Sequence, residues 1–475
     1  MKETLHAIVG AAGIVPPTQA NLPDEFSPLT VVAPASEAEV VSLLESAVGL
    51  RLPLMVAGSG THLTALDPPQ GDWWLLTTRR MNRVVDYSPE DLVITVGAGM
   101  TLEELQIHLQ RHRQYVPWNV ALPAQATIGG IVASNRAGSW RYRHGTPRDR
   151  LLGVRAVRGD GVAFKSGAKV VKSVAGYDLH RLLCGSWGTL AVLTELTLKV
   201  SPVPQAIEAV GWYCPWNQLE PTLADLMRAP LQPDGISVIC HHTSPETLRA
   251  VGAKTFEENL TVSSEISLTL PSPPSSEDSG EGAGVRADSE NLTPPSPLSA
   301  SREGGALAHS PSPFTERGLG GEVQAAFPPV ENSPTVGTLL LERTVPIPLE
   351  QEQTLGENAS RTPFIVLEFS GTPEGVARQT LWLQERGYPV QPVSPERLAH
   401  WRDLLAPRTH LLMVKLLLRP SQVAETLQEW TARGVEALAH AGSGIVYLWS
   451  DQPEGVVAVL ERLREVSYKY QILNL

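Results

Sequence analysis

Three glycine-rich stretches carry the residue types that could grip a phosphorylated ligand by main chain. Leu54 to Ala57 runs straight into Gly58-Ser59-Gly60-Thr61-His62. Residues without a Cβ permit positive φ and close approach, so backbone N–H groups there can converge on a pyrophosphate. The dinucleotide fingerprint Gly-x-Gly-x-x-Gly is incomplete, because Leu63 stands in the third glycine's place, and no lysine follows to make a Walker loop. The second stretch, Pro123 to Asn135, sets Gly129-Gly130 among small residues, with Thr127, Ser134 and Asn135 as polar anchors. A charge-assisted bond contributes about 1.5–3 kcal/mol, so several converging donors suit a doubly charged group without lysines. The third comprises Ser173-Val174-Ala175-Gly176-Tyr177-Asp178 and Cys184-Gly185-Ser186-Trp187-Gly188, ahead of a strand-like run to Leu198. Taken singly, each stretch reads at least as well as a turn or a helix-packing contact. Between the second and third lies Gly138 to Asp149, whose Arg143, His144 and Arg148 could hold a carboxylate or take a proton, or could belong to a solvated loop. His440 lacks a second histidine or an acidic partner in register, and His241-His242 cannot share one helical face, so no metal is assigned.

The elements that must position these residues alternate quickly. Leu29 to Val32 reads as a strand, and Ser36-Glu37-Ala38-Glu39 is a capping box that opens a helix with Val40, Leu43 and Leu44 inward. Strand-like runs follow at Leu54–Ala57, Leu75–Thr77, Val84–Val85 and Leu92–Val96, and Thr101-Leu102-Glu103-Glu104 is a second capping box. Strand, helix, strand and then a meander imply a mixed sheet. Farther on, Phe364–Phe369, Leu411–Leu418 and Ile445–Trp449 read as strands, and Pro373–Glu385, Gln422–Arg433 and Gly455–Val466 as helices. With Ala206 to Val238 they make a second α+β domain. Residues 260–335 (approximate bounds) hold LPSPPSSEDSGEGAG and LTPPSPLSASREGG, too poor in aromatic and β-branched residues to build a core, and read as a disordered surface insertion.

Composition narrows the classes. The 475 residues hold 38 basic and 50 acidic side chains, a formal charge of −12, the wrong sign for nucleic-acid binding. Three scattered cysteines, Cys184, Cys214 and Cys240, offer no iron–sulfur or zinc spacing and suit a reducing compartment. Neither a signal peptide nor a transmembrane segment is read, which makes the expected location cytoplasmic, or peripheral on the inner face of a membrane through partners.

Order and spacing together say more than any stretch alone. AQATIGGIVASNRAG, YRHGTPRDRLLGVRAV and KVVKSVAGYDLHRLLCGSWGTLAVLTELTLKV resemble the PCMH-type flavin-binding domain of the vanillyl-alcohol oxidase superfamily over about residues 21–204. Within it they read most like the D and E subunits of bacterial glycolate oxidase. The resemblance implies an α+β chain. Residues 1–20 would be an N-terminal segment, 21–204 a two-subdomain FAD-binding domain, and 205–475 a smaller α+β domain of FAD-linked oxidase type carrying the insertion. It also implies that Gly58, Ser59, Gly60 and Thr61 wrap the FAD pyrophosphate. Pro123, Thr127, Gly129, Gly130, Ser134 and Asn135 would line the pyrophosphate, ribityl chain and flavin edge, with Gly188 against the cofactor and Val192 and Leu193 offering main chain near the adenine.

Departures from the family pattern shape the functional expectation. His62 is the sole histidine near the first loop where relatives attach flavin covalently, and its offset favours noncovalent FAD. The family's C-terminal His-x-Gly-Asp-Gly-Asn-x-His has degenerated to His440-Ala441-Gly442-Ser443-Gly444-Ile445. Trp187 stands where catalytic relatives carry glutamate, and Ala191 replaces a glycine. The expected function is the FAD-binding subunit of a glycolate oxidase or dehydrogenase complex. That complex would oxidise glycolate to glyoxylate with a catalytic flavoprotein subunit and an iron–sulfur subunit as partners. A self-sufficient FAD-dependent dehydrogenase of another 2-hydroxy acid or alcohol is one alternative, and a non-catalytic assembly subunit is another.

Overall fold

A computed structural model describes residues 2–16, 22–23, 26–168, 177–240, 362–406, 410, 412–463 and 469–474. The low-complexity stretch at about 260–335 and the Ser173–Gly176 part of the third glycine motif lie outside the described residues.

The first lobe holds two main sheets and a two-stranded pairing of Gln114–Tyr115 with Ser201–Pro202, where the sequence suggests one mixed sheet. Strands Thr30–Val32 and Leu54–Ala57 flank Trp74–Thr77 in parallel, and Ile14–Val15 adds an antiparallel edge. The meander Val84–Ser88, Val93–Gly97, Ala191–Lys199, Leu151–Arg158 and Ala163–Gly167 forms a separate antiparallel sheet in that order. The parallel pairs require crossovers, and the helix Glu37–Leu50 supplies one. Its inward Val40, Leu43 and Leu44 pack with Leu5 and Val9 of the helix Lys2–Val9 and with Trp74 and Leu76. Ser36 Oγ accepts from Glu39 N, as a capping box requires, but the Glu39 carboxylate reaches back to Ala35 N. Thr101 and Glu104 make the reciprocal pair in full at the helix Leu102–Gln110.

From Ala206 onward the chain builds an eight-stranded antiparallel sheet. Its order is Gln391–Pro392, Ala206–Tyr213, Phe364–Gly371, Gly235–Cys240, Glu436–His440, Ile445–Ser450, Leu412–Leu417 and Lys469–Asn474. Period-two alternation decides what each face carries. On Phe364–Gly371, Ile365, Leu367 and Phe369 join the core under the helices Trp216–Arg228, Pro373–Glu385 and Val423–Ala432. Phe364 and Val366 face the other way with Ile239, Leu438 and Trp401 of the helix Pro395–Asp403, and Ala65 and Ala121 of the first lobe pack against this second core. Glu368 falls on that same interlobe face. No helix among the described residues is long and apolar enough to cross a membrane.

Candidate cofactor-binding site

The strand Leu54–Ala57 delivers the first glycine loop into a cleft of about 680 Å³. Gly58, Ser59, Gly60 and Thr61 line it together with Thr127, Gly129, Gly130, Ser134, Gly188 and Leu193. The structure therefore gathers ten of the thirteen residues that the resemblance assigns to the cofactor. Pro123, Asn135 and Val192 stand outside the lining. Pro123 O accepts from Glu103 N, the Asn135 side chain accepts from Cys184 Sγ at 3.3 Å, and Val192 packs into the core beside Val32 and Trp74.

Thr127 is the hinge of the arrangement. It caps the helix Ile128–Ser134 by accepting from Gly130 N at 3.2 Å, and a Cβ built on Gly58 would collide with its hydroxyl. Gly129 is equally constrained, since a Cβ there would lie 2.9 Å from both the Cβ and the carbonyl oxygen of Ala98. Bare backbone is thus required where the first two glycine stretches meet. The main-chain N–H groups of Ser59, Gly60 and Thr61 find no carbonyl partner among the described residues, leaving three donors beside the helix cap. Val56, Leu66, Ala98 and Leu193 complete an apolar wall, and no lysine or arginine stands in the lining. A backbone cradle with small side chains and an apolar floor fits a dinucleotide held by amides rather than by cations.

The arginine-rich segment goes elsewhere. Arg143 Nη1 donates to Asp234 Oδ1 at 3.2 Å, to Gln232 O and to Ser370 O, while His144 Nε2 pairs with Asp234 Oδ1 at 2.9 Å. Asp234 is 1% exposed and precedes the strand Gly235–Cys240 of the second lobe. Arg148 projects from the short helix Pro147–Arg150 as an exposed residue outside the cleft lining. The three candidates for chemistry are therefore not brought to the cleft. Two of them are struts between lobes, because a buried carboxylate from the second lobe needs donors and this segment supplies them.

A second cavity of about 400 Å³ lies between the lobes, and the sequence reading does not anticipate most of its lining. Asn119 and Ser139 contribute from the first lobe; Ser237, Glu368, Arg402 and His440 come from the second. Glu368 Oε1 accepts from Ser139 Oγ at 2.7 Å, and Oε2 accepts from Trp140 Nε1 at 2.7 Å. Burial raises the Glu368 carboxyl above the usual carboxylate range, against the lowering effect of those donors. His440 sits with Nδ1 3.3 Å from Ser237 Oγ, and its buried Nε2 has no hydrogen-bond partner. Burial drives the imidazole down to about 3, with Lys415 and Arg141 adding to the effect, so it is neutral at physiological pH. The signal for Glu368 was a single charge inside the apolar run FIVLEFSG.

The comparisons with known proteins agree with the cleft. The family model described as "FAD binding domain" matches residues 28–167. It covers the first two glycine stretches and fits the PCMH-type flavoprotein superfamily. The glycolate oxidase subunit GlcE of Escherichia coli (strain K12) is 34% identical over 212 residues, 44% of this chain and 59% of that protein. A D-lactate dehydrogenase of Archaeoglobus fulgidus is 33% identical over 40% of this chain and 44% of its own length, and the glycolate oxidase subunit GlcD of Bacillus subtilis (strain 168) is 29% identical over 46% and 45%. The chain thus spans about half the length of the curated relatives it matches. Two solved structures share the fold at low identity. An alkyldihydroxyacetonephosphate synthase aligns at a TM-score of 0.58 with 13% identity over 93% of this chain and 71% of its own. A p-cresol methylhydroxylase aligns at 0.58 with 12% identity over 98% and 85%.

Proposed function

We propose that this chain is an FAD-dependent oxidoreductase subunit, the FAD-binding component of a complex that oxidises glycolate to glyoxylate, with a catalytic flavoprotein subunit and an iron–sulfur subunit as partners. The observation that carries the reading is the glycine-walled cleft, which gathers the first glycine loop, the Thr127-capped helix and an apolar wall around one open space. A flavin bound there supplies a two-electron acceptor for the hydride of a hydroxy acid's α-carbon. The chain's own residues do the holding. Ser59, Gly60 and Thr61 offer N–H groups to the pyrophosphate, and Val56, Leu66 and Leu193 keep water from the ring system. Noncovalent attachment is supported by the surroundings of Cys184 and His62. Burial pushes the Cys184 thiol up to about 12, so it stays protonated, and His62 Nδ1 is 2.9 Å from Thr61 Oγ1.

The accessory role rests on Arg143 and His144, which are committed to Asp234 and so are not available to orient a carboxylate in the cleft. One observation favours the alternative of self-sufficient turnover: the interlobe cavity is lined by Arg402, a residue type able to hold a carboxylate, beside the polar side chains of Asn119, Ser139 and Ser237. Purifying the chain alone separates the two. The accessory reading expects a yellow protein that releases FAD on acid precipitation. It also expects glycolate-dependent dye reduction only when the neighbouring subunits are added. Bleaching of the isolated chain by glycolate overturns the accessory role, and a colourless protein that takes up no FAD overturns the flavin assignment.

A further inference from the structure

Between the helix Leu179–Leu183 and the strand Ala191–Lys199 the chain reverses in a four-residue turn closed by Thr189 N donating to Ser186 O at 3.0 Å. Both central residues are left-handed, Trp187 at φ 54° and Gly188 at φ 75°. Positive φ at both central positions is the requirement of a type I′ turn, which selects Asn-Gly because a bulky Cβ substituent crowds the neighbouring carbonyl. Arg51, Leu92, Arg113, Leu122 and Asn135 share the positive φ; Arg51 and Asn135 end helices, where that conformation is common, and among the described non-glycine residues with positive φ Trp187 carries the largest side chain. A tryptophan at the first position of such a turn is strained, and strain of this kind persists where it aims a side chain. The indole is aimed into the lining of the cofactor cleft. There it meets the His62 ring edge-on, with centroids 6.5 Å apart and planes at 76°. His62 follows the first glycine loop directly, so two aromatic rings from distant segments meet beside the main-chain donors.

We propose that Trp187 is a positioning residue for the dinucleotide: its indole, braced by His62, stacks on a planar ring of bound FAD, and the unfavourable turn is retained because it delivers that face. The inference rests on the FAD reading and gives Trp187, a member of the third glycine stretch, a role that the glycines around it cannot supply. Its physical basis is the composition of the cleft. With no cation in the lining, affinity depends on amide donors and on the area and π-stacking of flat groups, and Trp187 offers the largest flat face there.

Removing the ring from the turn makes two effects move in opposite directions. Trp187→Asn and Trp187→Gly both favour the left-handed turn and both abolish the indole. The full chain, stripped of FAD, is titrated with FAD while tryptophan emission is recorded, and the melting temperature of each stripped protein is measured. Both variants are expected to melt at or above the wild-type temperature yet bind FAD at least about tenfold more weakly, as loss of one stacking partner implies. Trp187→Phe, which keeps an aromatic face, is expected to stay within about threefold of wild type, a smaller loss than the full stacking contribution. Quenching of emission by FAD should be smaller in all three variants than in wild type. Unchanged or tighter FAD binding by Trp187→Asn and Trp187→Gly overturns the proposal, the tighter case marking Trp187 as a plug. If the wild-type chain itself binds no FAD, the flavin reading fails and takes this inference with it.

Discussion

Gly58 and Thr127 show how little space the cofactor cradle leaves at the scale of single residues. A methyl group on Gly58 would collide with the Thr127 hydroxyl that caps the next helix, so the side chain could move only by abandoning its bond to Gly130 N. Gly58→Ala should therefore lower FAD affinity by about tenfold or more through loss of an aligned donor set, since tenfold corresponds to ~1.4 kcal/mol. Isothermal titration of the stripped variant measures it, and wild-type affinity would contradict the packing argument. His440 makes a separate prediction about pH. Its folded-state value of about 3 lies below the ordinary 6.5, so the unfolded chain takes up a proton in that window and the folded chain does not. Its neutral form is fully accommodated above pH 6.5. As pH falls from there toward 3, stability should drop by up to about 1.4 kcal/mol per pH unit. Urea unfolding at pH 7.5 and pH 5.5 tests this, because His440→Gln should lose that part of the slope. An identical slope in both proteins would show that the imidazole is not buried neutral.

Among the elements, the helix Ile128–Ser134 carries the second glycine stretch and depends on its cap. Thr127→Ala should cost about 1 kcal/mol of stability and displace the Gly129-Gly130 backbone, read together by denaturant unfolding and FAD titration. Elements with strong local signals were legible in the sequence. Leu54–Ala57 and Pro373–Glu385 have the expected bounds, because a short apolar run that ends at Gly58 and a Thr-Pro-Glu helix start are local features. The helix Pro395–Asp403 was not read, since PERLAHWRD lacks an apolar stripe, and alanines hid the alternation of the strand Glu436–His440. The glycine half of the cleft was legible because close backbone approach demands a residue type. The separate interlobe cavity was not: Glu368 meets Ser139 across 229 positions of sequence, and no local pattern encodes that pairing. The arginine-rich segment misled for the same reason, as its partner Asp234 is 90 positions from His144.

Across the whole molecule, the two lobes are joined by buried acids of the second lobe and donors from one short segment of the first. Asp234 takes Arg143 and His144, and Glu368 takes Ser139 and Trp140. The two acids are neighbours through the sheet, with Asp234 N donating to Glu368 O at 2.6 Å. Asp234→Ala removes the buried acceptor shared by Arg143 and His144, and because Arg143 is partly exposed and keeps its bonds to Gln232 O and Ser370 O, it should destabilise the chain by about 1–2 kcal/mol. A cycle with Arg143→Ala should recover part of that loss, and strict additivity would mean that the pair does not hold the lobes. FAD binding in the cleft is tested most plainly by direct titration of the stripped, full chain. Saturable binding at one site per chain, abolished or weakened by Gly58→Ala, is the predicted result. A wild-type chain that leaves FAD free in solution, while folded by circular dichroism, would contradict it.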